Sequence, residues 1–232
     1  MTTIQLPAIR YPFASGINQH ANEAQQHVTS WVRSFDLLST EKAWLRFGKA
    51  RFAWLAARAF PDAALRELCI IADFNTWLFI LDDQCDEAPA GRKADYLKSI
   101  MTGLTDILRS NRSVTPAEGP LPAALSNIWE RMRAISTPAW RLRFIRSMDE
   151  YFTACIWEAE NREAGIVPSV EEYVKMRPYT GALLADIEAI EIIEKIHLKE
   201  EVAEQALLQR MVQACNNIVC WSNDLFSCAK EA

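Results

Sequence analysis

Glycine is scarce in this chain, with 7 residues in 232, where proteins usually carry about 7%. Long stretches run without Gly or Pro, which leaves few sites for tight turns and favours helices. A CxxC pair is missing among Cys69, Cys85, Cys155, Cys215, Cys220 and Cys228. Most of these thiols stand in apolar helical runs and read as small buried hydrophobes of a reducing cytoplasm. There is no basic stripe either: 30 acidic and 25 basic residues are mixed along the chain at a net charge of -5, which argues against a nucleic-acid partner. The opening "MTTIQLPAIRYPFASG" lacks the basic start and apolar run of a signal peptide. The most apolar run, Leu68 to Leu81, is too short to span a bilayer and is interrupted by Asp73 and Asn75, so it reads as a core helix. The three histidines, His20, His27 and His197, lie in polar surroundings and are expected at the surface.

What is present is apolar bulk. A hydrophobic content of 50% fills a sizeable core, and the reading is one all-α domain over residues 1–232. Apolar residues recur at three- and four-residue spacing in "NQHANEAQQHVTSWVRSFDLL" and again in "TEKAWLRFGKARFAWLAARAF", which predicts two helices. Pro61 is placed to open the next helix, a long buried one running through Leu65, Leu68, Ile71 and Leu78 to Asp82. Further helices are predicted at Arg92 to Ser110, Pro122 to Ser136, Pro138 to Ala164, Val170 to Met176, Gly181 to Ile196, and from Glu200 onward. "NRSVTPAEGPLP", Asn111 to Pro122, is the strongest loop signal and reads as a connection between helices within the domain.

The long helix ends in "FNTWLFILDDQCDE", where Asp82, Asp83, Asp86 and Glu87 cluster with no Lys or Arg in the stretch. In a helix Asp82 and Asp86 face the same way and Asp83 lies about 100° round the axis. Like charges at that spacing repel, and a cation offsets the repulsion. Hard oxygen ligands without His or Cys favour Mg²⁺ over zinc. A second cluster, "NDLFSCAKE", puts Asn223, Ser227 and Glu231 along one helix face. Val219, Trp221, Leu225 and Phe226 flank them, so this helix is expected to be mostly buried and its polar row to need a partner.

The DDxxD of Asp82, Asp83 and Asp86, paired with the NDxxSxxKE of Asn223, Asp224, Ser227, Lys230 and Glu231, resembles the class I terpene synthases, particularly the microbial terpene cyclases. Arg177 lies 46 residues before Asn223, where that family carries an arginine that senses diphosphate. By the resemblance Thr180 is the linker and Gly181 the effector, at a helix break. Pro178 and Gly181 bracket Tyr179 and Thr180, and independently predict an irregular turn beside Arg177.

The resemblance implies a class I terpenoid synthase-like helical bundle around an apolar cavity. It implies three Mg²⁺ ions held by Asp82, Asp83, Asp86, Asn223, Ser227 and Glu231 together with a prenyl diphosphate substrate, farnesyl diphosphate first. Arg177 and Lys230 are the diphosphate donors, and Phe79, one turn before Asp83, lines the pocket floor. Phe74, Trp77, Phe152 and Trp157 read as core rather than pocket. A homodimer in the cytoplasm is a compatible assembly. The family's domain continues for several helices past the second motif, with an Arg-Tyr pair near its end. The chain ends at Ala232, so the expectation is an incomplete catalytic domain with Glu231 poorly held in a fraying turn. Two other readings stay open: a chain-elongating prenyltransferase, which typically uses two aspartate-rich motifs, and a non-catalytic Mg²⁺-binding helical protein.

Overall fold

The computed structural model describes residues 10–87 and 93–231; for residues 86–87 and 228–231 it describes the backbone alone. The described residues form helices joined by loops: α1 (Ala21–Ser34), α2 (Glu41–Ala50), α3 (Phe52–Ala59), α4 (Leu65–Glu87), α5 (Ala94–Ser110), a 3₁₀ turn (Pro116–Glu118), α6 (Pro120–Arg133), α7 (Pro138–Ala164), α8 (Val170–Thr180), α9 (Leu183–Ile193), α10 (Glu200–Ala203) and α11 (Ala206–Glu231). The all-α expectation holds. No helix among the described residues is long and apolar enough to cross a membrane.

Starts and stops follow local chemistry. Thr137 accepts a hydrogen bond from Trp140 N ahead of Pro138, so α7 begins with a side-chain cap and a proline whose missing N–H costs nothing there. Gly165, at φ 65°, ends it. Ser169 and Glu172 close a reciprocal capping box at the start of α8.

The core is built round α4. Leu68, Ile71, Phe74, Trp77 and Leu81 are all buried, and α1, α3, α6 and α9 pack on different sides of this helix. A helix apolar on all sides must be enclosed in this way. Trp77 Nε1 donates to Leu121 O at 3.0 Å, which satisfies its only polar atom. Trp129, Trp140 and Phe144 stack with centroids 4.9 to 6.2 Å apart. Deleting one such buried indole costs about 3–5 kcal/mol.

Several expected boundaries move. Three helices, not two, precede α4, because the chain turns through Arg51 at φ 51°. Pro61 lies in a turn and α4 opens at Leu65. The α6 helix opens at Pro120 rather than Pro122 and ends at Arg133. The expected end of α8 at Met176 is also wrong: the helix runs through Pro178 to Thr180, and α9 spans Leu183–Ile193. Proline removes one ladder donor, but the helix ends two residues later, and Asn216 Nδ2 donates to Pro178 O at 2.8 Å from α11. The histidines divide as well. His27 is half-buried, with Nε2 2.8 Å from Asp73 Oδ2, and Arg131 Nη1 reaches the same oxygen at 2.8 Å. Asp73, which seemed a break in the apolar run, is thus a fully buried carboxylate tying α4 to α1 and α6.

Candidate functional site

A cavity of about 1220 Å³ opens between α3, α4, α7, α8, α9 and α11. Leu55, Leu78, Phe79, Leu183, Ile187 and Ile190 give it apolar walls, while Asp82, Arg177, Asn223 and Asp224 put charge and amide groups on the same surface. A concave, mainly apolar space with a few convergent polar groups is what a small-molecule site looks like. Phe79 stacks on Phe52 at a centroid distance of 4.5 Å and an angle of 14°, so its ring is fixed against the wall. Phe74, Trp77 and Phe152 are in the core; neither they nor Trp157 line the cavity.

Arg177 is the node of the polar wall. It is 9% exposed, and its guanidinium is held on three sides. Nε donates to Asp224 Oδ1 at 2.7 Å, Nη1 to Thr180 Oγ1 at 3.2 Å, and Nη2 to Asn223 Oδ1 at 3.2 Å and Cys220 O at 3.4 Å. Helical spacing explains the α11 side: Cys220, Asn223 and Asp224 lie on neighbouring turns. Burial works against the charge on Arg177, but the hydrogen bond and charge of Asp224 hold its proton affinity above the ordinary value.

Gly181 is required by space, not by its backbone angle. Its φ is -84°, and the left-handed residue at the break is Ala182, at φ 55°. A Cβ on residue 181 would lie 2.7 Å from Cys220 Sγ and 3.0 Å from Arg177 Nη1, closer than packed atoms approach. The break therefore sits against the guanidinium because nothing larger than a hydrogen fits between them. Cys220 cannot withdraw freely, since its Sγ donates to Asn216 Oδ1 at 3.3 Å.

The acidic end of α4 divides. Asp82 is exposed and lines the cavity. Asp83 instead meets Arg46 of α2, whose Nη2 donates to Oδ2 at 2.6 Å. The partner missing from the local sequence is supplied by a residue 37 positions upstream. The side chain of Asp86 lies outside the described residues, as do those of Lys230 and Glu231.

Further along α11, Ser227 Oγ and Asp224 Oδ2 are buried with no hydrogen-bond partner among the described residues, although unpaired buried oxygens are costly. Among the described residues no cluster of three or more His, Cys, Asp or Glu could hold a metal by itself. The expectation that α11 is mostly buried is overturned. Val219 is 46%, Leu225 41% and Phe226 70% exposed: one face of α11 packs on α8 and α9, while on the opposite face Tyr11 Oη lies 3.1 Å from Ser222 Oγ.

Burial pushes the Tyr151 hydroxyl and the Cys155 thiol well up from their ordinary values, so both are neutral. Burial also lifts the carboxyl of Asp186, on the α9 wall of the cavity, to about 7. The sequence reading named neither Asp186 nor the role of Asp224 in gripping Arg177. Asp224 was legible within the second motif as the residue beside Asn223; nothing in the local sequence marks Asp186.

The family described as terpene synthase family 2, C-terminal metal binding, matches residues 73–232. The chain is 35% identical over 223 residues to the (+)-T-muurolol synthase, (2E,6E)-farnesyl diphosphate cyclizing, of Roseiflexus castenholzii, spanning 95% of this chain and 67% of the relative. It is 30% identical over 231 residues to the germacrene A synthase of Nostoc punctiforme, spanning 100% of this chain and 71% of the relative. Among solved structures, the germacradien-4-ol synthase of Streptomyces citricolor superposes with a TM-score of 0.85 at 25% identity, covering 95% of this chain and 73% of the other. The chain thus spans about two thirds of the length of these curated relatives.

Proposed function

The chain belongs to the class I terpene synthase family, whose domain is metal-binding, and on that footing we propose that it ionises and cyclises a linear prenyl diphosphate with Mg²⁺, releasing diphosphate. Farnesyl diphosphate is the first candidate, because the T-muurolol synthase relative is named for cyclising it. The observation that carries the reading is the Arg177 node: Arg177, Thr180, Gly181 and Asn223 share one cavity wall, and Asp82 lines the same space from α4. A cytoplasmic location belongs to the same reading.

The donor set fits a hard divalent cation. Every candidate ligand is an oxygen, and Ser227 Oγ, one turn beyond Asn223, is buried without a partner among the described residues. The described carboxylates do not suffice alone, which suits a site completed by neutral Asn and Ser oxygens and by the oxygens of the ligand. Asp82, Asp83 and Asp86 on one side and Asn223, Ser227 and Glu231 on the other would hold Mg²⁺, three ions in this reading, with Lys230 as a further diphosphate donor. Bound there, Mg²⁺ supplies charge stabilisation to a departing diphosphate.

The chain's own groups do the remainder. Arg177 presents a fixed, planar, permanently charged donor to the leaving group, and Asp224 fixes its orientation from behind. Because Thr180 and Asn223 occupy its Nη atoms, a diphosphate must exchange for these neutral acceptors, which weakens non-ionic competitors. Leu78, Phe79, Ile187 and Ile190 then keep water from the hydrocarbon cation, and the Phe79 ring offers it a π face. Asn223 and Ser227 in place of a second aspartate-rich motif favour cyclisation over chain elongation. The test is release of inorganic diphosphate from farnesyl diphosphate with Mg²⁺, run with and without isopentenyl diphosphate. Release without the second substrate supports cyclisation; release only in its presence supports elongation.

A further inference from the structure

Resting on the function proposed above, we infer that Asp186 is an internal acid-base group of the cavity: it protonates a neutral cyclic olefin formed from the first cation and takes a proton back when the second cation is quenched. Asp186 stands in the first turn of α9, just past the Ala182 break, and lines the cavity beside Leu183, Ile187 and Ile190. Its Oδ1 is buried with no hydrogen-bond partner among the described residues. A carboxyl in that position cannot be explained as half of an ion pair, and an unpaired carboxylate against apolar walls would be strongly disfavoured. The charged groups on the cavity surface from other elements are Asp82 on α4, Glu158, Arg162 and Glu163 on α7, Arg177 on α8 and Asp224 on α11. Burial is the cause that lifts the Asp186 carboxyl to about 7. The helix N-terminus favours the anion, and here burial wins. The group therefore holds a proton, yet at a pH close to neutrality it can release one, which is the condition for acid-base work.

The first cation gives up a proton to the released diphosphate, the electron pair of the broken C–H bond becoming the double bond of the neutral olefin. The carboxyl O–H bond breaks as the π pair of the olefin forms a new C–H bond, leaving a carbocation on the neighbouring carbon and a carboxylate at Asp186. After ring closure, a C–H bond beside the cation breaks, its electron pair forms the final double bond, and its proton returns to the carboxylate. Asp186 starts and ends the cycle protonated, and the one net proton leaves with the diphosphate. The carboxylate formed in the protonation step faces the second cation, which compensates its charge until the proton returns.

Two measurements test this. The first needs no turnover: the infrared spectrum of the parent minus that of Asp186→Asn at pH 5 should contain the C=O stretch of a neutral carboxylic acid, shifted in D₂O. Absence of that band overturns the proposal. The second follows farnesyl diphosphate, Mg²⁺ and D₂O, with diphosphate release recorded alongside. The parent should place one solvent deuterium per molecule on a carbon of its cyclic product. Asp186→Asn should lower that labelling at least tenfold and accumulate the neutral olefin of the first cyclisation, and Asp186→Glu, which keeps the acid, should restore part of it. Unlabelled product from a parent that releases diphosphate overturns the role of Asp186 and leaves the proposed function standing. A parent that releases no diphosphate overturns the proposed function and with it the use made of the proton, whatever the infrared band shows.

Discussion

Arg177 Nε donates to Asp224 Oδ1 at 2.7 Å across the α8–α11 contact, and the arginine is almost wholly buried. The pair joins the two segments that carry the candidate diphosphate donor and the second candidate metal motif. Replacing Asp224 with Asn keeps an acceptor but removes its charge. A hydrogen bond to a charged group contributes about 1.5–3 kcal/mol, so Asp224→Asn should lower stability by about 1–3 kcal/mol in a urea titration and weaken Mg²⁺-dependent binding of inorganic diphosphate. Unchanged binding would separate the pair from the site.

The space beside Gly181 makes a prediction about pairs of residues. Gly181→Ala forces a Cβ to 2.7 Å from Cys220 Sγ, and overpacking of this kind costs about 1–3 kcal/mol. Cys220→Ala removes the obstructing sulfur. The double variant should therefore be more stable than the sum of the single changes implies, and a double-mutant cycle measures the coupling. Additive effects would mean that the break relaxes by another route.

Much of this was legible in the chain. The α7 helix was read with its observed ends, because Thr137-Pro138 and Gly165 are strong local signals. The apolar character of α4 was visible in the residues themselves, whereas the step from Arg177 to Asn223 carried meaning only through the family resemblance. What escaped is tertiary. Arg51 breaks α2 from α3 without a glycine, Pro178 stays helical because Asn216 meets its carbonyl, and Asp83 finds Arg46 from another helix. The apolar residues of α11 misled for a related reason: periodicity shows that a face is apolar, and it cannot show what covers it.

Asp186 gives a pH prediction. Its proton affinity is raised on folding, so the native state binds the proton more tightly than the unfolded chain, and stability falls as pH rises from about 4 through about 7. Asp186→Asn removes this penalty. Its stability relative to the parent should rise between pH 4.5 and pH 8 by at most about 4 kcal/mol, read as a gain of at least about 2 °C in relative melting temperature. A pH-independent difference would place the carboxyl in a wetter setting than the cavity wall.

The Arg46–Asp83 pair has side chains 43% and 44% exposed, and such pairs contribute about 0.2–1 kcal/mol. Arg46→Met should leave the melting temperature within about 3 °C of the parent while tightening Mg²⁺-dependent diphosphate binding, since the cation no longer competes with a guanidinium for Asp83. Weaker binding in calorimetry would assign Arg46 to the diphosphate rather than to the carboxylate.

In the proposed function the two motifs and Arg177 act together on a prenyl diphosphate. The most direct measurement incubates the chain with farnesyl diphosphate and Mg²⁺, quantifies inorganic diphosphate and resolves the hydrocarbons by gas chromatography, beside Arg177→Lys and Asp82→Asn. Arg177→Lys keeps the charge and loses the planar fork. The account predicts Mg²⁺-dependent diphosphate release with a cyclic hydrocarbon product, cut at least tenfold by either substitution, a loss of about 1.4 kcal/mol of transition-state stabilisation. Release that proceeds equally in both variants, or no Mg²⁺-dependent release from the parent, would contradict it.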